Sequence, residues 1–343
     1  MITSDLRHAI ARAVAEAGLE NGADPGLRPA GVPGRYAASV ALSLGPRPRE
    51  IAGRLAATLA GEPWIETAEV TGPGYLTITV TDQALAAVAD RIAAAGPACA
   101  RSDALRGRTV TAPPSGDPLT LATWEEARAA LAAQLTARLA AAAGATVADS
   151  AATERSRVPR PPRSDSGPAV SRTRSGDSPP SPSEAASYAG RDAVLFMLAA
   201  AVPGRPLRVD PRIIARHVSA NPAYAVRYAH ARAASGLRWG ETATLPRLPA
   251  GHGELVLLDA LSWLPERVAT AARRDRPDEF ARYLEDLASV TIDVLTSGRD
   301  PASAVHPGSA PAPGSDRLSL ASAARTGLAA GLGLLGVSAP DRL

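Results

Sequence analysis

The sequence predicts a mainly helical protein, with a small α+β domain at its N-terminal end and a helix bundle at its C-terminal end. Three observations lead there. Hydrophobic residues make up 45% of the chain but aromatics only 3%, so the core must be Ala, Leu, Val and Ile. Ala-rich sequence with few β-branched runs favours helices. Alternating apolar residues cluster around Gly72-Pro73-Gly74, whereas the C-terminal half repeats at helical spacing between Pro- and Gly-rich joints.

The elements follow in order. Leu6, Ile10, Val14 and Ala17 mark a first helix. Pro48 opens a second, with Ile51, Leu55 and Leu59 on one face, since proline suits a first helical turn. Ile65, Val70, Leu76, Ile78 and Val80 form a strand pair about the Gly-Pro-Gly turn. Ala84 to Ala95 is a third helix. Arg108 to Ala112 and Thr123 to Ala143 make one strand–helix unit. Residues 149–187 are dense in Ser, Pro and Arg and poor in large apolar side chains, which predicts a flexible linker. Further helices are expected over Tyr188–Ala201, Pro222–Trp239, Gly253–Ala272, Pro277–Leu295 and Arg317–Leu335. The chain thus divides into 1–105, 106–148, 149–187 and 188–343.

Composition excludes several chemistries. Every basic side chain is Arg, so no Schiff-base lysine, P-loop lysine or lysine base exists. The lone Cys99 rules out an intrachain disulfide, and the five histidines show no metal-ligand spacing. No metal or cofactor is expected. The formal charge of +3 permits an anionic partner without requiring one. The N-terminus mixes charged and apolar residues, and the uninterrupted apolar run Ala193–Val202 is too short to span a bilayer. A cytoplasmic protein with no membrane partner is expected.

Three stretches resemble arginyl-tRNA synthetase, in that family's order. Tyr36 to Leu42, Pro48 to Ala52, Ile65-Glu66 and Gly72-Pro-Gly-Tyr75 resemble its additional N-terminal domain, which grips the tRNA elbow. The resemblance implies D-loop contacts from Tyr75 and Thr77, and Tyr36 is a further RNA-binding candidate of the same domain. Tyr75 keeps a stacking face, while Thr77 stands where the family has an Asn. Asn221-Pro-Ala-Tyr-Ala-Val-Arg-Tyr-Ala-His-Ala-Arg232 resembles the Asn-Pro-Val-Tyr-Tyr-Val-Gln-Tyr-Ala-His-Ala-Arg signature of the anticodon-binding domain, departing at Ala223, Ala225 and Arg227. Ala281 to Ala288, Arg317 to Ala323 and Leu334 to Leu343 resemble that domain's end. The Asp-Ala-Leu-Arg motif that names it has the counterpart Asp192-Ala-Val-Leu195, without the Arg.

Read on its own, Asn221 is a helix N-cap. Tyr224, Arg227, Tyr228, Ala231, Ser235 and Arg238 then share one helical stripe of rings and guanidinium groups, suited to unstacked bases. His230 and Arg232 belong to the same signature. Two alternatives stand beside this: Tyr224 and Tyr228 as bundle core, and His230 as a core hydrogen-bonder.

The resemblance omits the active site. Pro118-Leu-Thr-Leu-Ala-Thr123 aligns with the family's Pro-Leu-His-Val-Gly-His, so Thr120 and Thr123 replace both imidazoles. The lysine loop has only a remnant, Val170 to Gly176. A nucleotide-binding sheet needs several strand–helix units of roughly 30 residues; between Gly107 and Tyr188 one fits. The leading expectation is therefore a tRNA-binding protein that does not aminoacylate by itself, with tRNA-Arg the first candidate. It would hold the elbow and the anticodon arm at once, with avidity set by the linker. The alternatives are a residual or complementing ATP-dependent arginine–tRNA ligase, and a protein-interaction module on the same fold.

Overall fold

The computed structural model describes residues 1–19, 24–113, 115–148, 180–207, 209–240, 252–297 and 317–343. Most of the predicted linker, together with the Val170–Gly176 remnant, lies outside these residues.

The N-terminal domain opens with α1 (Ile2–Glu16), which buries Ile2, Leu6, Ile10 and Val14. Strands β1 (Arg28–Pro29) and β2 (Arg35–Ala38) precede α2 (Pro48–Leu59). Next come β3 (Ile65–Thr71) and β4 (Tyr75–Val80). The sheet is antiparallel in the order β1-β2-β4-β3. Leu76, Ile78 and Val80 point inward, and the intervening residues point out. At Gly74 (φ 146°) a Cβ would lie 2.8 Å from Pro48, so only glycine lets the turn tuck over the start of α2. The expected third helix is two, α3 (Asp82–Ala86) and α4 (Val88–Ala95); Thr81 caps the first through the Ala84 amide.

The middle unit is β5 (Thr109–Thr111), α5 (Trp124–Ala142) and β6 (Thr146–Ala148). β6 returns parallel to β5, a short strand that the sequence reading missed. The helical domain comprises α6 (Pro182–Ala189), α7 (Arg191–Ala199), α8 (Pro211–Ile214), α9 (Pro222–Gly240), α10 (His252–Ser262), α11 (Leu264–Arg273), α12 (Pro277–Ser297) and α13 (Arg317–Leu335). Two expected helices are broken. Gly190 (φ 90°) separates α6 from α7, so helix starts at Pro182, inside the segment read as linker. Trp263 separates α10 from α11, with Pro265 in the first turn of the latter.

Among the described residues, α13 has a window, Leu318–Leu335, long and apolar enough to cross a membrane. Half of it is buried: Leu320, Ala324, Leu328 and Leu332 face the core, packed on α9 and α12. At Gly331 a Cβ would overlap the Leu284 side chain, so the small residue sets how closely α13 and α12 approach.

One continuous core links all three regions. α1 and α5 both pack on α11, and α4 packs on α13. Polar bonds fasten the same junction. Thr3 Oγ1 donates to the Ser262 carbonyl at 2.7 Å. Arg7 donates twice to Glu266, at 2.8 and 2.6 Å. The spacing of the two terminal domains is therefore set by direct contact rather than by the linker.

Tyr36 sits in this junction, which corrects its expected place on an RNA surface. It is 0% exposed, packs on Trp263 at 5.4 Å, and donates to Asp259 Oδ1 at 2.8 Å. Burial, then the Asp259 charge, raises its phenol well above the ordinary value, so it remains a donor. Asp259 Oδ1 also accepts from the Gly34 amide at 3.1 Å. Tyr36→Phe is expected to destabilise the chain by about 1–2 kcal/mol, because a half-buried carboxylate loses a donor; urea denaturation checks this.

Candidate nucleic-acid interface

The interface is built around α9. Asn221 precedes its first residue, and its carbonyl accepts from the Ala225 amide at 2.8 Å. The Asn221 side chain is buried, and its amide donates to the carbonyls of Ile214 and Arg216, 2.8 Å each. It is thus engaged with the preceding loop and is not free to touch RNA. That clamp presents the next residue, His217, at the surface.

His217, Tyr224 and Tyr228 form a ladder. The His217 and Tyr224 rings lie 5.3 Å apart and 10° from parallel. Tyr224 and Tyr228 lie 5.7 Å apart at 17°. Tyr224 is half-buried, and Tyr228 is 39% exposed. Neither is closed into the bundle core, whose contacts from α9 come from Ala223, Val226, Ala229 and Ala233. A face of near-parallel rings ending in an exposed phenol can extend its stack onto a base. Arg232, half-buried, has no polar partner among the described residues.

The other edge of the stripe carries the C-terminal tail. Arg227 reaches Ser338 Oγ and Asp192, each at 3.4 Å. Arg238 donates to the Asp341 carbonyl at 3.2 Å. Arg325 grips the Asp341 carboxylate with two bonds of 3.0 Å. This grip holds the Asp341 carboxyl below its usual range. Asp192, first residue of the degenerate motif, also bonds Ser338, while Leu195, where the family has Arg, is buried. The tail places Leu343 in solvent, 56% exposed.

His230 is 2% exposed and its Nδ1 donates to the Pro340 carbonyl at 3.0 Å. Of the two readings of this residue, the buried hydrogen-bonder is the one its position supports, and it cannot face RNA. Burial lowers its pKa, outweighing the Pro340 carbonyl and Asp341, and Arg325 lowers it further. An unfolded His titrates near ~6.5. With the folded value below that, this contribution to stability is present above the unfolded value and is lost as pH falls through the folded one. The urea midpoint is expected to drop between pH 7.5 and 5.5, and to drop less in His230→Gln.

Tyr75 and Thr77 lie on the outward face of β4, in the other domain. Tyr75 is 40% exposed. Thr77 shares a 3.1 Å hydrogen bond with Thr71 across the hairpin.

The segment aligned with the first synthetase signature has another use. Thr120 Oγ1 donates to the Asp117 carbonyl at 2.8 Å. Thr123 caps α5, accepting from the Glu126 amide while Glu126 accepts from the Thr123 amide. Asp117 is held by Arg191 at 2.6 and 3.1 Å, which lowers its carboxyl pKa. Of the two hydroxyls that replace imidazoles, one closes the turn before α5 and the other caps that helix.

Comparison with known proteins agrees with this architecture. The family model for the arginyl tRNA synthetase N terminal domain matches residues 4–80. That for the DALR anticodon binding domain matches residues 226–343. The arginine–tRNA ligase of Frankia alni is 38% identical over 168 residues, which are 45% of this chain and 29% of that protein. The Paenarthrobacter aurescens ligase is 35% identical over 169 residues, again 29% of its length. The match thus spans less than a third of these relatives. The Thermus thermophilus arginyl-tRNA synthetase structure has a TM-score of 0.65 at 17% identity, with both chains covered in full, and shows the shared fold. The chain is an arginyl-tRNA synthetase-related protein, with that family's N-terminal domain and DALR anticodon-binding domain docked on each other around a short strand–helix–strand unit.

Proposed function

We propose that this protein is a cytoplasmic tRNA-binding protein that does not aminoacylate by itself. The observation that carries the reading is the stacked His217–Tyr224–Tyr228 ladder on the anticodon-domain helix, open at Tyr228. Anticodon bases are unstacked, and proteins read them with aromatic faces and guanidinium planes. Tyr224, Tyr228 and Arg232 supply these here, while Arg227 and Arg238 brace the tail at the edge of that face. Tyr75, with Thr77 beside it, offers a second stacking face on the N-terminal sheet. The direct docking of the two domains supports binding of both tRNA arms by one rigid body, which keeps the avidity of two linked sites without a linker search.

The middle unit does not supply the groups that aminoacylation needs. Class I activation needs cationic or hydrogen-bonding groups aimed at the triphosphate. Thr120 is bonded into the turn before α5, Thr123 caps that helix, and the chain has no lysine. The two parallel strands β5 and β6 offer no crevice between strand ends of the kind that binds nucleotides in a full sheet.

The test is titration of purified protein with tRNA-Arg and an unrelated tRNA across a salt series, beside arginine-dependent ATP–pyrophosphate exchange. Salt-sensitive binding that prefers tRNA-Arg, with no exchange, is expected. Exchange above background would make the chain a ligase. No binding at low salt would remove the RNA reading and leave a protein partner as the fold's use.

A further inference from the structure

A second charged feature lies away from α9, where the loop after α1 meets α11. A cleft of about 610 Å³ opens between Asp24–Pro29 and α11, lined in part by Arg28, Glu266, Arg267, Arg273 and Arg274. Its carboxylates are already taken. Glu266 is held by Arg7 and by Arg273, the latter at 2.7 Å. Asp24 is held by the same two arginines. Arg274 pairs with Glu279 at 3.1 Å.

Two guanidinium groups remain. Arg28, exposed on β1, and Arg267 have no carboxylate within ion-pair distance among the described residues. Arg267 is flanked by two rings, its guanidinium carbon 5.3 Å from the centre of Trp263 and 6.0 Å from that of Tyr283. Its Nε is buried without a hydrogen-bond partner. A guanidinium confined between rings and without an acid partner is preorganised to offer its terminal nitrogens to an oxyanion. Burial first, and then the neighbouring Arg7 and Arg274, push Arg273 down to about 10.

We propose that this interdomain cleft binds a phosphate group, gripped by Arg267 and Arg28. Either a free phosphate or a phosphodiester of RNA supplies this chemistry; the RNA source rests on the tRNA-binding reading above, whereas the site does not.

Two measurements on the full chain decide it. In thermal melts at constant ionic strength, inorganic phosphate is expected to raise the midpoint of the parent by a few degrees. That shift should vanish in Arg267→Gln and shrink in Arg28→Gln. In tRNA titrations, each variant should flatten the slope of log K against log salt by about 0.7–0.9 if the RNA backbone fills the cleft. A lost phosphate effect with an unchanged tRNA slope assigns the site to free phosphate. A flatter slope without a response to free phosphate assigns it to RNA. If the parent binds no tRNA, the RNA reading fails and the melts alone judge the site. If Arg267→Gln does not fold, the exposed Arg28→Gln decides. An unchanged phosphate response and slope in that variant overturn the proposal.

Discussion

Replacing Glu266 with Ala is expected to destabilise the protein by about 3 kcal/mol, because it leaves two poorly exposed guanidinium groups with only the half-exposed Asp24 as a carboxylate partner. Glu266 is 6% exposed and bonds Arg7 twice and Arg273 once. The partners are themselves only 14% and 18% exposed, so water cannot replace the lost carboxylate fully. Arg7 belongs to α1 and Glu266 to α11, so the loss falls on the junction between the two terminal domains. A contrast is built into the same helix. Arg12 of α1 pairs with Glu62 while 62% exposed, and Glu62→Gln should cost at most about 1 kcal/mol, as surface pairs do. Urea midpoints of the two variants read the difference. A Glu266→Ala cost no larger than that of Glu62→Gln would mean that the domains do not dock in solution.

The second large effect is on binding. Tyr224→Ala with Tyr228→Ala is expected to weaken tRNA binding by about a hundredfold or more, since each base–aromatic stack contributes ~1–3 kcal/mol. Tyr224→Phe keeps the ring and should stay within about threefold. Stability separates the interface from a packing role. Tyr228 is 39% exposed, so its truncation should leave the urea midpoint nearly unchanged while affinity falls. A lowered midpoint with unaltered affinity would mark the rings as packing residues alone.

The parts of the fold legible in sequence are those with local signals. α2 and α9 begin at Pro48 and Pro222, and α5 begins after a Thr-x-x-Glu capping box. The hairpin of β3 and β4 shows its alternation on both sides of a Gly-Pro-Gly turn. β1, β2 and β6 have two to four residues, too few for alternation to appear. The breaks at Gly190 and Trp263 interrupt patterns that read as continuous.

The site divides along the same line. The α9 stripe follows from spacing within one helix, so Tyr224 and Tyr228 could be placed on one face. His217 could not, because its contact with Tyr224 depends on the loop that Asn221 clamps. Tyr36 was misplaced for a related reason. Its partner Asp259 lies more than 200 residues on, and no local pattern announces that a motif residue faces another domain. The tail contacts of Arg227, His230 and Arg238 are likewise tertiary.

Hydroxyl-radical footprinting of tRNA-Arg bound to the full chain tests the central claim most directly. Protection of both the anticodon loop and the elbow is predicted, with the anticodon protection lost in Tyr224→Ala. Protection at neither place, or a footprint that Tyr224→Ala leaves unchanged, would contradict it.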